Sequence, residues 1–343
     1  MKTHQNTLYV TTQGSYLARE GESLLVRVDG ETRFRVPIHT LAGVVCFGRV
    51  GLSPGLMDLC AERDVMVSFL SLHGKFLARV QGPVSGNVLL RREQYRRADD
   101  DGASAAIART VTAAKIANCR TVLRRGIRDH AESRDTAALG GAAEGLTRAL
   151  GRLDAELPLD TVRGIEGEAA HVYFGVFDEL VTIDDPAFRL RGRSRRPPLD
   201  NLNALLSFVY TLLLHDVSSG LETVGLDPAV GYLHRDRPGR PGLALDLMEE
   251  LRPVLADRLV LSLVNRRQVA ASGFRQAETG GITMDDETRK TVLVAWQKRK
   301  DEEIVHPFLE DRMTMGLVPL MQARLFARYL RGDLDGYPPF LWR

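Results

Sequence analysis

Cysteine is scarce in this sequence. Cys46, Cys60 and Cys119 are the only three in 343 residues, an odd number at wide spacings with no Cys-x-x-Cys pair. That argues against a zinc ribbon and a disulfide framework, and for a reducing cytoplasmic setting. Aromatic residues are also sparse at 6%, and neither sign of charge is in excess: 46 Lys plus Arg stand against 44 Asp plus Glu, a net charge of +2. A histone-like polycation is excluded, so any affinity for nucleic acid has to come from local basic patches. Long apolar runs are absent too. The start, Met1-Lys2-Thr3-His4-Gln5-Asn6, lacks the roughly 7–15-residue apolar core of a secretory signal, and the chain is expected not to be secreted. The longest apolar stretch, residues 204–214, is broken by Ser207 and Thr211. It falls short of the ~20 residues that cross a bilayer and reads as a buried helix.

What is present is the composition of an ordinary folded protein, 44% hydrophobic and 26% charged, with a length that suggests two domains at about 150 residues each. Two periodicities divide it. Over the first ninety or so residues, short β-branched and aromatic runs alternate with turn residues: strands are expected over 7–12, 23–28, 32–37, 65–70 and 75–80, with a short helix over 53–62. Asp29-Gly30 between two alternating runs signals a type I′ hairpin, whose two central positions need positive φ. His73-Gly74 joins the last strand pair. After a polar stretch at 98–102, Ala-, Leu- and Arg-rich segments predict long helices over 103–124, 142–157, 166–180, 201–215, 246–264 and 288–306. The expected fold class is α+β: a small β-rich domain over residues 1–96, then a larger all-α domain over 97–343.

Three segments carry candidate chemistry. In the first, Asp227-Pro228 is expected to start a short helix as N-cap and N1, with His234 near its end. The following helix then places Asp246, Glu249 and Glu250 within one turn, on one face. Like charges at that spacing repel by a few tenths of a kcal/mol, a penalty that a cation or a basic partner would remove. A solvated first turn beside a surface histidine is the plain alternative for any one of these residues. The short Arg/Pro loop over 235–241 keeps His234 near the carboxylates, and a mixed His and carboxylate set suits Mg²⁺ or Mn²⁺. In the second segment, Gly164 and Gly167 flank Glu166, which makes Glu166 a candidate third ligand. The third is a run of arginines, Arg189, Arg191, Arg193, Arg195 and Arg196, set in a Gly-Ser backbone suited to bidentate contact with phosphates. Arg91, Arg92, Arg96, Arg97, Arg266, Arg267 and Lys298-Arg299-Lys300 add further basic patches.

Other constellations compete. Glu168-x-x-His171 and Glu303-x-x-His306 are two Glu-x-x-His pairs on predicted helices, the repeated element of di-iron carboxylate bundles. An iron-dependent oxidase is therefore one alternative, and a non-catalytic DNA-binding scaffold another. Against the bundle, Glu168 follows a glycine and His306 abuts Pro307. His215-Asp216 and His234-Arg235-Asp236 match metal phosphohydrolase and kinase signatures only in isolated residues.

Taken jointly, residues 193–208, 225–234 and 245–250 resemble the family of CRISPR-associated adaptation endonucleases, or integrases. Further similarity lies in Glu278-Thr279-Gly280-Gly281, Gln297-Lys298-Arg299-Lys300, His306-Pro307-Phe308-Leu309, Gln322-Ala323-Arg324-Leu325 and residues 333–342, a carboxyl-terminal set like that of the type I-C subgroup. The resemblance implies a β domain that dimerises and a helical catalytic domain. It implies a metal-dependent DNA endonuclease that inserts short fragments into a CRISPR array by 3′-hydroxyl attack. Glu166, His234 and Glu249 would be the metal ligands, with Asp246 as an adjacent acidic member of the site and Glu249 standing where many relatives have Asp. The implied cofactor is Mg²⁺ or Mn²⁺. The implied partners are double-stranded DNA, a second copy of the chain, a small ferredoxin-like protein and a partner nuclease with an iron–sulfur cluster, with no membrane.

Overall fold

The Asp29-Gly30 hairpin forms as the sequence predicts. The two residues take φ of 52° and 83° and join β3 (Ser23–Val28) to β4 (Glu31–Pro37) in an antiparallel pair. The computed structural model describes residues 6–72, 74, 76–80, 82, 88–132, 134–278 and 280–342. His73 and Lys75 of the second predicted strand pair, and Thr279 of the motif at 278–281, lie outside the described residues.

The amino-terminal part is built of β1 (Asn6–Val10), β2 (Tyr16–Glu20), β3, β4, β5 (Leu41–Phe47), β6 (Gly51–Leu52), α1 (Pro54–Glu62), β7 (Met66–Leu70) and β8 (Phe76–Val80). They form two four-stranded sheets, of order β4-β3-β2-β6 and β1-β5-β7-β8. In the second sheet β1, β5 and β7 run parallel. The predicted short helix is α1, with Ser53 accepting from Leu56 N as its N-cap. Strand β5 was not foreseen. Val44 and Cys46 point into the amino-terminal core, while Val45 and Phe47 point into the helical core, where Phe47 meets Phe208 with ring centroids 5.9 Å apart.

The helical part consists of α2 (Val88–Ala98), α3 (Asp101–His130), α4 (Ala137–Arg152), α5 (Leu159–Gly175), α6 (Asn201–Thr223), α7 (Gly242–Leu251), α8 (Arg258–Asn265), β9 (Phe274–Gln276), β10 (Ile282–Met284), α9 (Asp286–Asp301), β11 (Glu303–Val305), β12 (Arg312–Thr314) and α10 (Val318–Leu330). The second part is mostly helical, as the expected α+β class requires, with two short hairpins, β9–β10 and β11–β12, added to it. The boundary expected at residues 96–97 falls inside α2, and only Asp99 and Asp100 separate it from α3. The helix expected over 246–264 is interrupted by a π-helical segment, Arg252–Asp257, carrying Pro253. Helix α6 is long and apolar enough to cross a membrane, but most of it is buried inside the protein.

Candidate active site

Position 228 is where local sequence rules give way to tertiary structure. The short helix expected after Asp227 does not form. Asp227 Oδ1 instead accepts from Ala229 N at 2.8 Å, making a turn, and the Pro228 carbonyl accepts from Leu243 N and Ala244 N, capping α7. The loop then lies flat on the first turn of α7. A Cβ on Gly231 would stand 2.6 Å from the Gly242 carbonyl carbon, and one on Gly242 would stand 2.7 Å from Ala229 O. Only glycine permits this approach. Gln94 of α2, fully buried, holds the loop from the other side through Asp227 O at 2.8 Å and Val230 O at 2.9 Å.

This packing delivers three consecutive backbone N–H groups to Asp246. Tyr232 N and Leu233 N donate to Oδ2 at 2.6 and 3.0 Å, and His234 N donates to Oδ1 at 2.9 Å. His234 Nδ1 lies 2.7 Å from the same Oδ1. An ionised carboxylate can only accept, so the ring proton belongs on Nδ1 and the Nε2 lone pair is left free. Nε2 faces Glu249 Oε1 at 3.7 Å. From α5, Arg163 Nε donates to Leu233 O at 2.6 Å, tying the helix that carries Glu166 to the loop that carries His234.

Glu249 thus stands beside His234 and is linked to Glu166 through a cation, one of two in the site. Lys115 of α3 touches Glu166 Oε1 and lies 2.7 Å from Glu249 Oε2; Arg252 Nη1 lies 2.5 Å from Glu249 Oε1. Burial pushes the Glu249 carboxyl up, but Arg252, Lys115 and His234 together hold it below the usual range. Burial pulls the Lys115 ammonium down, and Glu249 and Glu166 more than offset that pull. Lys115, Arg163 and Arg252 were not singled out from the sequence. A signal for Lys115 was present: it continues the stripe of Ile107, Val111, Cys119 and Val122, all buried, and a lysine at a core position needs a charged partner.

Among the described residues, no three His, Cys, Asp or Glu side chains already enclose an ion-sized point. The donor chemistry nevertheless fits a hard divalent ion. Two carboxylates and an imidazole with a free Nε2 suit Mg²⁺ or Mn²⁺, and Glu249 Oε2 is buried with no aligned hydrogen-bond donor.

Several expectations are corrected. Asp246, Glu249 and Glu250 do not form a solvated turn, being 1%, 1% and 0% exposed, nor do all three serve one site. Glu250, rotated by about 100° from Glu249 on the helix, accepts from Tyr337 Oη, Gln322 Nε2 and Phe340 N, anchoring the carboxyl-terminal tail. Gly164 and Gly167 lie within α5, where a Cβ would meet nothing within 4 Å. The two Glu-x-x-His pairs do not assemble. Glu168 is paired with Arg152 at 2.6 Å, and Glu303 lies on β11, not on a helix. The buried His306 spends Nε2 on Gln322 Oε1 and accepts at Nδ1 from Phe308 N and Leu309 N.

The arginine run divides. Arg191, Arg195 and Arg196 are exposed. Arg189 pairs with Asp178 at 3.2 Å. Arg193 turns inward, donating to Asn203 Oδ1 at 2.6 Å and stacking on Tyr210, 5.3 Å from its centroid. Of the other basic residues, Lys300 is buried against Asp216 at 3.1 Å, and Arg97 pairs with Glu93. His215 is not at a helix end, because α6 continues to Thr223; its Nδ1 meets Ser68 Oγ at 3.0 Å.

A sequence model of the family described as "CRISPR associated protein Cas1" matches residues 8–298. The chain is 56% identical, over the full length of both, to "CRISPR-associated endonuclease Cas1 1" of Chlorobaculum tepidum. It is 37% identical to a "CRISPR-associated exonuclease Cas4/endonuclease Cas1 fusion" of Rhodospirillum rubrum, covering 97% of this chain and 57% of the fusion. Among solved structures, a CAS1 protein from Thermotoga maritima superposes with a TM-score of 0.82 at 24% identity, covering 97% of this chain and all of the other. A casposase bound to integration product gives 0.83 at 22% identity, covering 97% and 92%. At these identities the two structures speak to the fold alone.

Proposed function

The chain belongs to the Cas1 family of CRISPR-associated proteins, and from that membership we propose that it is a divalent-metal-dependent DNA endonuclease and integrase, inserting short foreign DNA fragments into a CRISPR array. The observation that supports this reading is that Glu249 of α7 lies 3.7 Å from His234 Nε2 of the 226–241 loop and shares the Lys115 ammonium with Glu166 of α5. In the reaction, the 3′-hydroxyl oxygen of the incoming strand forms a P–O bond while a P–O bond of the target strand breaks, so the number of phosphodiesters is conserved. Water in place of the hydroxyl cleaves the strand.

Glu166, His234 and Glu249 would hold the Mg²⁺ or Mn²⁺, which when bound supplies Lewis-acid stabilisation of charge on the phosphate oxygens, an effect of several kcal/mol. Asp246 keeps the proton of His234 on Nδ1, so that Nε2 presents its lone pair. Arg191, Arg195 and Arg196 are free to hold DNA phosphates and fix the register of the duplex.

Double-stranded DNA, as spacer precursor and as CRISPR repeat, is the proposed substrate. Residues 1–96 are proposed to dimerise the chain, which works in the cytoplasm with a small ferredoxin-like protein and an iron–sulfur nuclease. The relative in which an exonuclease is joined to the Cas1 portion supports a nuclease as neighbour. The test is a labelled short duplex incubated with a supercoiled repeat-bearing plasmid, with and without Mn²⁺. Label joined to plasmid only with Mn²⁺ is the expected result. DNA retarded on a gel but never nicked or joined under any ion would reduce the protein to a binding scaffold.

A further inference from the structure

Lys115 has no part in the reading above, yet it sits at the centre of the site. Its ammonium, on a buried face of α3, touches Glu166 Oε1 and lies 2.7 Å from Glu249 Oε2. Arg252 takes the other Glu249 oxygen at 2.5 Å. At Glu166 and Glu249, two carboxylates face two cations before any ion arrives. Asp246 adds a third negative charge, which its backbone N–H donors and the His234 ring stabilise but do not cancel. With three carboxylates against two cations, an entering divalent ion would leave one positive charge in surplus where water is largely excluded. A resident cation has to leave, or an anion has to come in.

Of the two cations, Lys115 is the one built to move. Arg252 is pinned by stacking on Tyr210, 5.1 Å from the ring centroid. Lys115 is held through its ammonium, by Glu166 and Glu249. A compact ammonium on a four-carbon stem can also swing without unstacking anything.

Building on the metal-site reading above, we propose that Lys115 is a resident counter-cation: it neutralises Glu166 and Glu249 in the metal-free protein and gives way to the divalent ion, so that metal occupancy is set by its displacement. A DNA phosphate beside the site adds negative charge that favours the ion. By linkage, DNA then raises metal affinity and metal raises DNA affinity by the same factor.

Mn²⁺ binding to the full chain, read by titration calorimetry, tests this for the wild type, Lys115→Met, Lys115→Arg and Glu166→Gln, together with each protein's metal-free melting temperature. Lys115→Met is expected to melt lower without metal and to bind Mn²⁺ at least about tenfold tighter, the equivalent of ~1.4 kcal/mol. Lys115→Arg, which keeps the charge, shows no such gain. A merely structural lysine would weaken both properties together. Equal or weaker Mn²⁺ binding by Lys115→Met overturns the proposal and leaves the metal site standing. Binding that Glu166→Gln does not change removes the metal site and the proposal with it. Should Lys115→Met fail to fold, amine labelling of the wild type read by mass spectrometry decides: labelling of Lys115 rises with Mn²⁺, and labelling that stays level or falls overturns the proposal.

Discussion

His234 Nδ1 and Asp246 Oδ1 stand 2.7 Å apart, twelve residues distant in the chain, and the same oxygen accepts from the His234 backbone. One carboxylate thus fixes both where the histidine sits and which nitrogen it offers. Asp246→Asn would put an amide N–H against donors and free the ring tautomer. Metal affinity and strand transfer are expected to fall roughly 10–100-fold, with a loss of ~3 kcal/mol in urea denaturation. Activity within twofold of wild type would remove Asp246 from the site.

His234→Ala and Glu166→Ala should each abolish Mn²⁺-dependent strand transfer while leaving DNA binding nearly unchanged, as gel retardation on the same duplex would measure. Full activity in either variant would contradict the ligand assignment.

The division of the arginine run predicts two phenotypes from neighbouring residues. Replacing Arg191, Arg195 and Arg196 with Ala is expected to flatten the dependence of DNA binding on salt, by about 0.9 in the log–log slope for each phosphate that is no longer neutralised, with little change in melting temperature. Arg193→Ala does the reverse. It leaves Asn203 Oδ1 without its 2.6 Å donor and removes one of the two guanidinium groups stacked on Tyr210, so the protein melts lower.

Asp257 links stability to pH. Burial pushes its carboxyl up from 3.8 to about 6, against the pull of Tyr210, which donates at 2.6 Å, and Tyr173 at 3.1 Å. Because the folded value is raised, the stability this group contributes is fully present below about pH 4 and is lost as pH climbs through about 6. Over that window the loss amounts to ~3 kcal/mol. Asp257→Asn cannot ionise, and the tyrosine hydroxyls can turn to accept from its amide. Urea midpoints measured from pH 4 to 7 should fall less for the variant than for the wild type; parallel curves would refute the assignment.

Legibility from sequence followed the reach of the forces involved. The hairpin at residues 23–37 was readable because alternation and an Asp-Gly turn are local, and α3, α4 and α6 because their apolar stripes are long. Strand β5 escaped because it is buried on both faces and so shows no alternation. Asp227-Pro228 was misread as a helix start because the carbonyl of Pro228 is claimed by α7, a partner fifteen residues away. The helix expected to reach His306 stops at Asp301, where Ile304-Val305 favour a strand and Pro307 bars a return. Of the candidate site, the flanking glycines marked Glu166, and the motifs that resemble the family contain His234, Asp246 and Glu249. Lys115 comes from a separate helix with no motif around it and was missed, its place on an apolar stripe being the one signal that could have found it.

Strand β5 also bears on how the molecule comes apart. It is a wall shared by two rooms: alternate side chains, Val44 and Cys46 on one side, Val45 and Phe47 on the other, belong to different cores. Neither core can loosen without stripping one face of that wall. Loosening of the β-rich half therefore weakens the helical half, and the reverse, though each has an interior of its own.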